Sequence, residues 1–213
     1  MAVGYLDGIV ILWNIDDDES RILAKHTEQV NMVTFSPQGT MIVTASADNT
    51  VKLWDLNGDL LAHREYQSAA YYVSFSPDGR LIAIASMTEN HAHQIELWNH
   101  NNKYQQILKG NFDSLVMSIV FIPDSDILAS ISHEQTIRLW NTVDGSLLQT
   151  IEVNNNFSIT AAFIYCSSQN DNSAIAVANS ENRISLWSLS IEELLSNSTN
   201  QIRDYTNRLT QSS

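Results

Sequence analysis

Tryptophan recurs along this 213-residue chain at positions 13, 54, 98, 140 and 187, at intervals of 41, 44, 42 and 47 residues. Each closes a short segment of one shape: GIVILWN (8–14), TVKLWD (50–55), QIELWNH (94–100), TIRLWNT (136–142) and RISLWSL (183–189). A phenylalanine keeps the same rhythm. Phe35, Phe75, Phe121 and Phe163 follow the preceding tryptophan by 22, 21, 23 and 23 residues. Two markers in one register mean that a single supersecondary unit repeats, and a unit this small cannot bury its apolar face alone. From each phenylalanine to the next tryptophan the distance is 19, 23, 19 and 24 residues. The extra length therefore lies in the second half of the unit, at 87–94 (MTENHAHQ) and 165–174 (YCSSQNDNSA).

Within one unit the pattern predicts four short strands. Val30–Ser36 alternates and meets Ser36-Pro37-Gln38-Gly39, a turn in which Pro presets φ and Gly accepts a positive φ. Met41–Ser46 is a near-continuous apolar run, as a strand buried on both faces requires. Ala47-Asp48-Asn49 turns the chain, Val51–Trp54 alternates, and Leu60–His63 forms a short fourth strand. The same order follows Tyr72 and Leu115. Strands this short, without helices between them, imply an all-β array, and four strands per ~40–45 residues is the period of a β-propeller blade.

On FSPQG (35–39), FSPDG (75–79) and TASADNTVKLWD (44–55), the chain resembles the WD40-repeat family over roughly residues 1–189. The resemblance implies a hydrogen-bonded relay of His26, Thr44, Asp48 and Trp54, which would satisfy a buried indole N–H through a hydroxyl and an imidazole. Other units depart from it. Asn14, Asn99, Asn141 and Ser188 stand where Asp55 follows Trp54. Asp7 keeps the turn acid, Glu134 and Glu181 replace it, and an insertion displaces it near Glu89. Tyr66, Asn111 and Val153 lie near the histidine position. One complete relay is expected, in the second unit, and that unit is expected to be the stiffest.

The expected organisation is a propeller segment of four to five blades, an incomplete ring: a partial blade at 1–25, blades at 26–65, 66–110 and 111–152, and a partial blade at 153–189. The first unit lacks its first strand and the fifth ends after its third, RISLWSL. Family members close with about seven blades, so the expectation is a piece of a longer propeller whose Met1 is not the natural start, an open arc, or closure with another chain. A helical tail is expected at 190–213. Ser190-x-x-Glu193 reads as a capping box, and Ile202, Tyr205 and Leu209 recur at helical spacing. Ile202-Arg203-Asp204-Tyr205 resembles the tail of bacterial, especially cyanobacterial, multi-WD signalling proteins.

Composition narrows the partners. The net charge of −13, with 11 Lys+Arg scattered along the chain, repels phosphate backbones and anionic membranes. A protein or peptide partner is expected, with neither nucleic acid nor membrane. No apolar run reaches the ~18 residues of a membrane helix. MAVGYLDGIV has no basic n-region, so the expected compartment is the cytoplasm. Cys166 is the single cysteine and reads as a buried or half-buried thiol.

Catalytic signals are sparse, and no enzyme activity, cofactor or metal is expected. His91 and His93, after Glu89, have the spacing of a metal pair on one strand face. A metal-dependent propeller enzyme built on them is the alternative, and a poorly functional truncated propeller is another. The acidic run Asp16–Glu19 lacks the glycine and spaced ligands of a calcium loop and reads as solvated. By resemblance, the rim of the channel is lined four and seven residues before each phenylalanine. This places Glu28, Asn31, Ser68, Tyr71, Ser114 and Met117 on the candidate partner-binding face, with Ile159 and Asn156 at the matching positions of the last unit and the His91–His93 loop beside it. The reading is a non-catalytic interaction scaffold or sensor, the C-terminal part of a larger signalling protein, with self-association through exposed blade edges as a further expectation.

Overall fold

The computed structural model describes residues 1–88, 92–101, 105–108, 114–133, 136–152, 159–166, 172–179, 184–190 and 204–205. The described residues are all-β, without a helix, and form antiparallel sheets of consecutive strands. The chain divides into two compact units, Met1–Ser114 and Leu115–Ser213.

The first unit holds three sheets. Sheet one has three strands, β1 (Ala2–Gly4), β2 (Ile9–Asn14) and β3 (Glu19–Lys25). Sheet two is β4 (Val30–Phe35), β5 (Met41–Ser46), β6 (Thr50–Asp55) and β7 (Leu60–Glu65). Sheet three is β8 (Ala70–Phe75), β9 (Leu81–Met87), β10 (His93–Asn99) and β11 (Gln105–Ile107). The second unit holds sheet four, β12 (Val116–Ile122), β13 (Ile127–Ser132), β14 (Thr136–Asn141) and β15 (Leu147–Glu152). Sheet five is β16 (Ile159–Cys166), β17 (Asn172–Asn179), β18 (Ile184–Ser190) and β19 (Asp204–Tyr205).

Alternation decides what each face covers. In sheet two Val43, Ala45, Val51 and Leu53 pack on Val73, Ile82, Ile84 and Trp98 of sheet three. The opposite face, with Ile42 and Trp54, packs on Val10 and Leu23 of sheet one. β5 is buried from Ile42 to Ser46 because both faces are covered. Trp54 and Trp98 thus each face the sheet before their own. Trp54 is 7% exposed and Trp98 3%, while Trp13, with no earlier sheet in this unit, is half-buried.

The turns follow their residues. Ser36 Oγ accepts from the N–H groups of Thr40 (3.2 Å) and Met41 (3.0 Å), and Gly39 takes φ of 67°. Asn49 adopts φ of 66° while Asp48 Oδ1 accepts the Thr50 N–H at 3.0 Å. Met87 pairs with His93, and the Thr88 N–H donates to Ala92 O at 2.8 Å.

The fifth unit differs from expectation. It has a fourth strand, because Asp204 and Tyr205 pair with Trp187 and Leu186. Tyr205 is therefore extended rather than helical. The open edge of β18 offers unpaired backbone groups, and a returning segment satisfies them. Ser190 is the last residue of β18. Glu193, Ile202 and Leu209 lie outside the described residues, as does the rest of 191–203 and 206–213.

Gly8 separates two glycine costs. At φ of 84°, a Cβ there would meet His26 O at 2.3 Å, whereas Gly39 has open space around it. Gly39→Ala should cost about 1–2 kcal/mol, the left-handed penalty alone, and Gly8→Ala clearly more. Urea denaturation of the two variants checks this.

Candidate functional site: the buried relay and the bulged inner strands

The residues from four separate segments of sheet two and its entry loop meet at one point. His26 precedes β4, Thr44 lies on β5, Asp48 in the β5–β6 turn and Trp54 at the end of β6. Trp54 Nε1–H donates to Thr44 Oγ1 at 3.0 Å. Thr44 Oγ1 and His26 Nε2 are 2.7 Å apart, and His26 Nδ1 lies 2.9 Å from Asp48 Oδ2. With the indole as a fixed donor, the network assigns Thr44 O–H to His26 Nε2 and His26 Nδ1–H to Asp48. Asp48 also accepts from the Thr27 N–H (3.1 Å) and the Thr50 hydroxyl (2.5 Å). His26 and Thr44 are 1% and 0% exposed, so these bonds replace water.

The electrostatics follow from burial and bonding. Burial lowers His26 below its ordinary value, outweighing the Asp48 hydrogen bond and charge that raise it. Burial would raise Asp48, but hydrogen bonds from Thr50, Thr27 and His26 overcome it and hold the carboxyl below its usual range. The imidazole is therefore neutral, consistent with a ring that donates once and accepts once.

The other tryptophans solve the same problem differently. Strand register makes Thr44, Ile84 and Ser130 equivalent, each two residues past the partner of its tryptophan. In sheet four, Trp140 Nε1–H donates to Ser130 Oγ at 2.8 Å. In sheet three the hydroxyl is replaced by Ile84, and Tyr66 takes the histidine position, its N–H donating to Asn49 O as that of His26 donates to Gly8 O. There a buried ion pair appears that the motif reading missed. Arg64 at the end of β7 lies with Nε 3.9 Å from Glu96 Oε1 on β10, and its guanidinium stacks 5.5 Å from the Trp98 ring. Glu96 is 2% exposed. Burial first, then the Glu96 charge, push the Tyr66 hydroxyl up, so it stays protonated. The signal in the sequence was an acid inside an apolar strand, IELW (95–98).

The candidate binding residues of the inner strands share a second feature. Pairing of β4 with β5 skips Asn31, pairing of β8 with β9 skips Tyr71, and pairing of β12 with β13 skips Met117. Each is the extra residue of a β-bulge, a device that re-aims a side chain at a strand end. In sheet five the skipped residue is 160, one past the expected Ile159. Asn31 is also tied inward, since its Nδ2 donates to Ala70 O of β8 at 2.8 Å. Glu28 is exposed, whereas Ser68, Tyr71 and His93 are half-buried, as are Ser114 and, in the second unit, Met117. Burial lowers His93. Glu89, His91, Asn111, Glu134, Val153, Asn156 and Glu181 lie outside the described residues. Among the described residues, no three His, Cys, Asp or Glu side chains group as a metal site.

The family model described as WD domain, G-beta repeat, matches residues 18–55 and 102–141. Those two segments are similar to WD40 repeats. The transcriptional corepressor LEUNIG_HOMOLOG of Arabidopsis thaliana is 28% identical over 73% of this chain and 19% of its own length. Nuclear distribution protein PAC1 of Arthroderma benhamiae is 27% identical over 78% of this chain and 40% of its own. Protein groucho of Drosophila melanogaster is 24% identical over 85% and 24%. The chain thus spans less than half the length of each of these relatives, and all three are eukaryotic. A crystal structure of the computationally designed Ika8 protein matches 88% of this chain and 55% of its own with a TM-score of 0.67 at 20% identity, a likeness of fold.

Thr44→Val should cost about 1–3 kcal/mol, because the Trp54 N–H and the His26 Nε2 both lose their partner in a buried site. Glu96→Ala should cost about 3–5 kcal/mol by leaving Arg64 unpaired. Urea midpoints of both variants test these values. A folded state that depresses His26 loses stability as pH falls through 6.5, where the unfolded histidine takes up its proton, and Asp48 acts in the same direction below 3.8. The urea midpoint should therefore fall between pH 7.5 and 5.5, and His26→Gln should remove part of that slope.

Proposed function

We propose that this chain is a non-catalytic WD40 interaction scaffold or sensor module that binds a protein or peptide. The observation that carries this reading is the bulge at Asn31, Tyr71 and Met117, the same position on three inner strands. Tyr71 and Met117 are half-buried apolar side chains of the kind that anchor interfaces. Glu28, Ser68, Ser114, His91 and His93 are proposed to belong with Asn31 and Tyr71 in the first unit, and Met117 is the matching position in the second. The printed names of the relatives, a corepressor and a nuclear distribution protein, name no catalytic activity.

The finer parts of the reading are proposals as well. The chain serves as the C-terminal part of a larger signalling protein in the cytoplasm, a placement supported by the Ile202–Tyr205 motif and by the greater length of its relatives. A bacterial, cyanobacterial-type origin rests on that tail motif alone. The charge of −13 supports a partner that is neither nucleic acid nor an anionic membrane. Open sheet edges support self-association.

The test places a photo-crosslinking residue at Tyr71 and, as a control, at Ile22 on sheet one. Partners captured at Tyr71 but not at Ile22, whose affinity falls at least about tenfold on Tyr71→Ala, are the expected result. Equal capture at both positions overturns the reading.

A further inference from the structure

Successive sheets of the first unit leave two crevices at equivalent places, and the two are filled differently. The crevice between sheets one and two has a volume of about 490 Å³ and is lined by Leu12, Arg21, Phe35, Leu56 and Asn57 among others. Arg21 bridges its two sheets: its guanidinium donates through Nη2 to Leu56 O and through Nη1 to Asn57 O at 3.4 Å. The crevice between sheets two and three has a volume of about 570 Å³, lined by Met41, Leu53, Ala62, Asp78, His100 and Asn101 among others.

Register makes the correspondence residue by residue. Arg21 pairs with Leu12, the residue before Trp13, and Ala62 pairs with Leu53, the residue before Trp54. Leu56 and Asn57 follow Trp54 by two and three positions, as His100 and Asn101 follow Trp98. The second crevice therefore has a methyl group where the first has a guanidinium, with the matching backbone positions behind it.

Two further observations say what would fit there. His100 Nδ1 is buried without a hydrogen-bond partner. Burial also lowers the His100 pKa, so the ring is neutral near pH 7 and this nitrogen can accept a proton donor. Asp78 lies in the crevice wall, its carboxylate accepting from the Ser76 hydroxyl (2.6 Å) and the Arg80 N–H (3.0 Å). The local cation is Arg80, 76% exposed at its side chain with Nε 3.6 Å from Asp78, so it sits on the outer rim and not at the back.

We propose that the crevice between sheets two and three is a docking site for an arginine side chain of a protein partner, with Arg21 in the first crevice as its internal template. The incoming guanidinium donates to the carbonyls of His100 and Asn101 and to His100 Nδ1, while its stem lies on Leu53, Met41 and Ala62. Guanidinium suits the site because its planar fork reaches several acceptors at once, and the chain's charge of −13 favours a cationic partner. The proposal rests on the scaffold reading but uses a surface separate from the bulged inner strands.

The test titrates the isotopically labelled full chain with the peptide acetyl-Gly-Leu-Arg-Leu-Gly-amide and follows backbone amide shifts by NMR. The control peptide carries citrulline, which keeps the shape and loses the charge. Saturable shifts at Ala62, Gly79, His100 and Asn101, at least about tenfold weaker with citrulline, are expected. Ala62→Arg should fill the crevice from within, raise the melting temperature and abolish the shifts. His100→Phe, which removes the acceptor nitrogen without adding a charge, should weaken them independently. Absence of shifts up to about 10 mM peptide, equal response to citrulline, or shifts that persist in a folded Ala62→Arg chain each overturn the proposal. Capture at Tyr71 in the Ala62→Arg chain keeps the two readings distinguishable. If capture persists and the peptide fails, only the crevice falls; if the peptide binds and Tyr71 captures nothing, only the inner-strand face falls.

Discussion

An indole buried between two sheets carries one N–H, and that hydrogen must find an acceptor in a place water does not reach. In sheet two the acceptor is Thr44, which is held in turn by His26 and Asp48. The chain of bonds fixes more than the indole. It ties the entry loop before β4 to the β5–β6 turn, and through the His26 N–H and Gly8 O it also ties sheet two to the β1–β2 turn of sheet one. Apolar burial brings the sheets together without direction, and the relay decides their alignment.

The neighbouring sheets show how far this constraint can be varied. Sheet four keeps the hydroxyl, Ser130, as the acceptor for Trp140. Sheet three abandons it. Ile84 replaces the threonine, and Arg64, Glu96 and Tyr66 put a buried charge pair across the junction with sheet two. A buried ion pair is a demanding substitute, because desolvation offsets much of its attraction. The Arg64 guanidinium compensates in part by stacking on Trp98, so the same tryptophan is still the element on which the junction is built.

Rigid junctions leave the strand ends free to vary. The bulges at Asn31 and Tyr71 interrupt pairing on the end strands of their sheets, and Asn31 shows that such a residue can also serve the frame, by donating to Ala70 O. After the tryptophan, Ala62 stands in the second crevice where Arg21 stands in the first.

By itself, the sequence determined the period, the all-β class and the strand order within each repeat, because tryptophan spacing, alternation and turn residues all act over a few tens of residues; the four relay members His26, Thr44, Asp48 and Trp54 were implied by its resemblance to WD40 repeats. It also carried, in Glu96, a visible conflict between an acid and an apolar strand. Only the tertiary structure decided which group resolves that conflict, Arg64, since alternation tells which face a residue occupies and not what stands opposite on the next sheet. The same holds for Asn31 with Ala70, for the pairing of Tyr205 with Leu186, and for the crevice behind Ala62. Each depends on contacts between different repeats, or between a sheet edge and a returning tail, and local patterning carries no record of such distances.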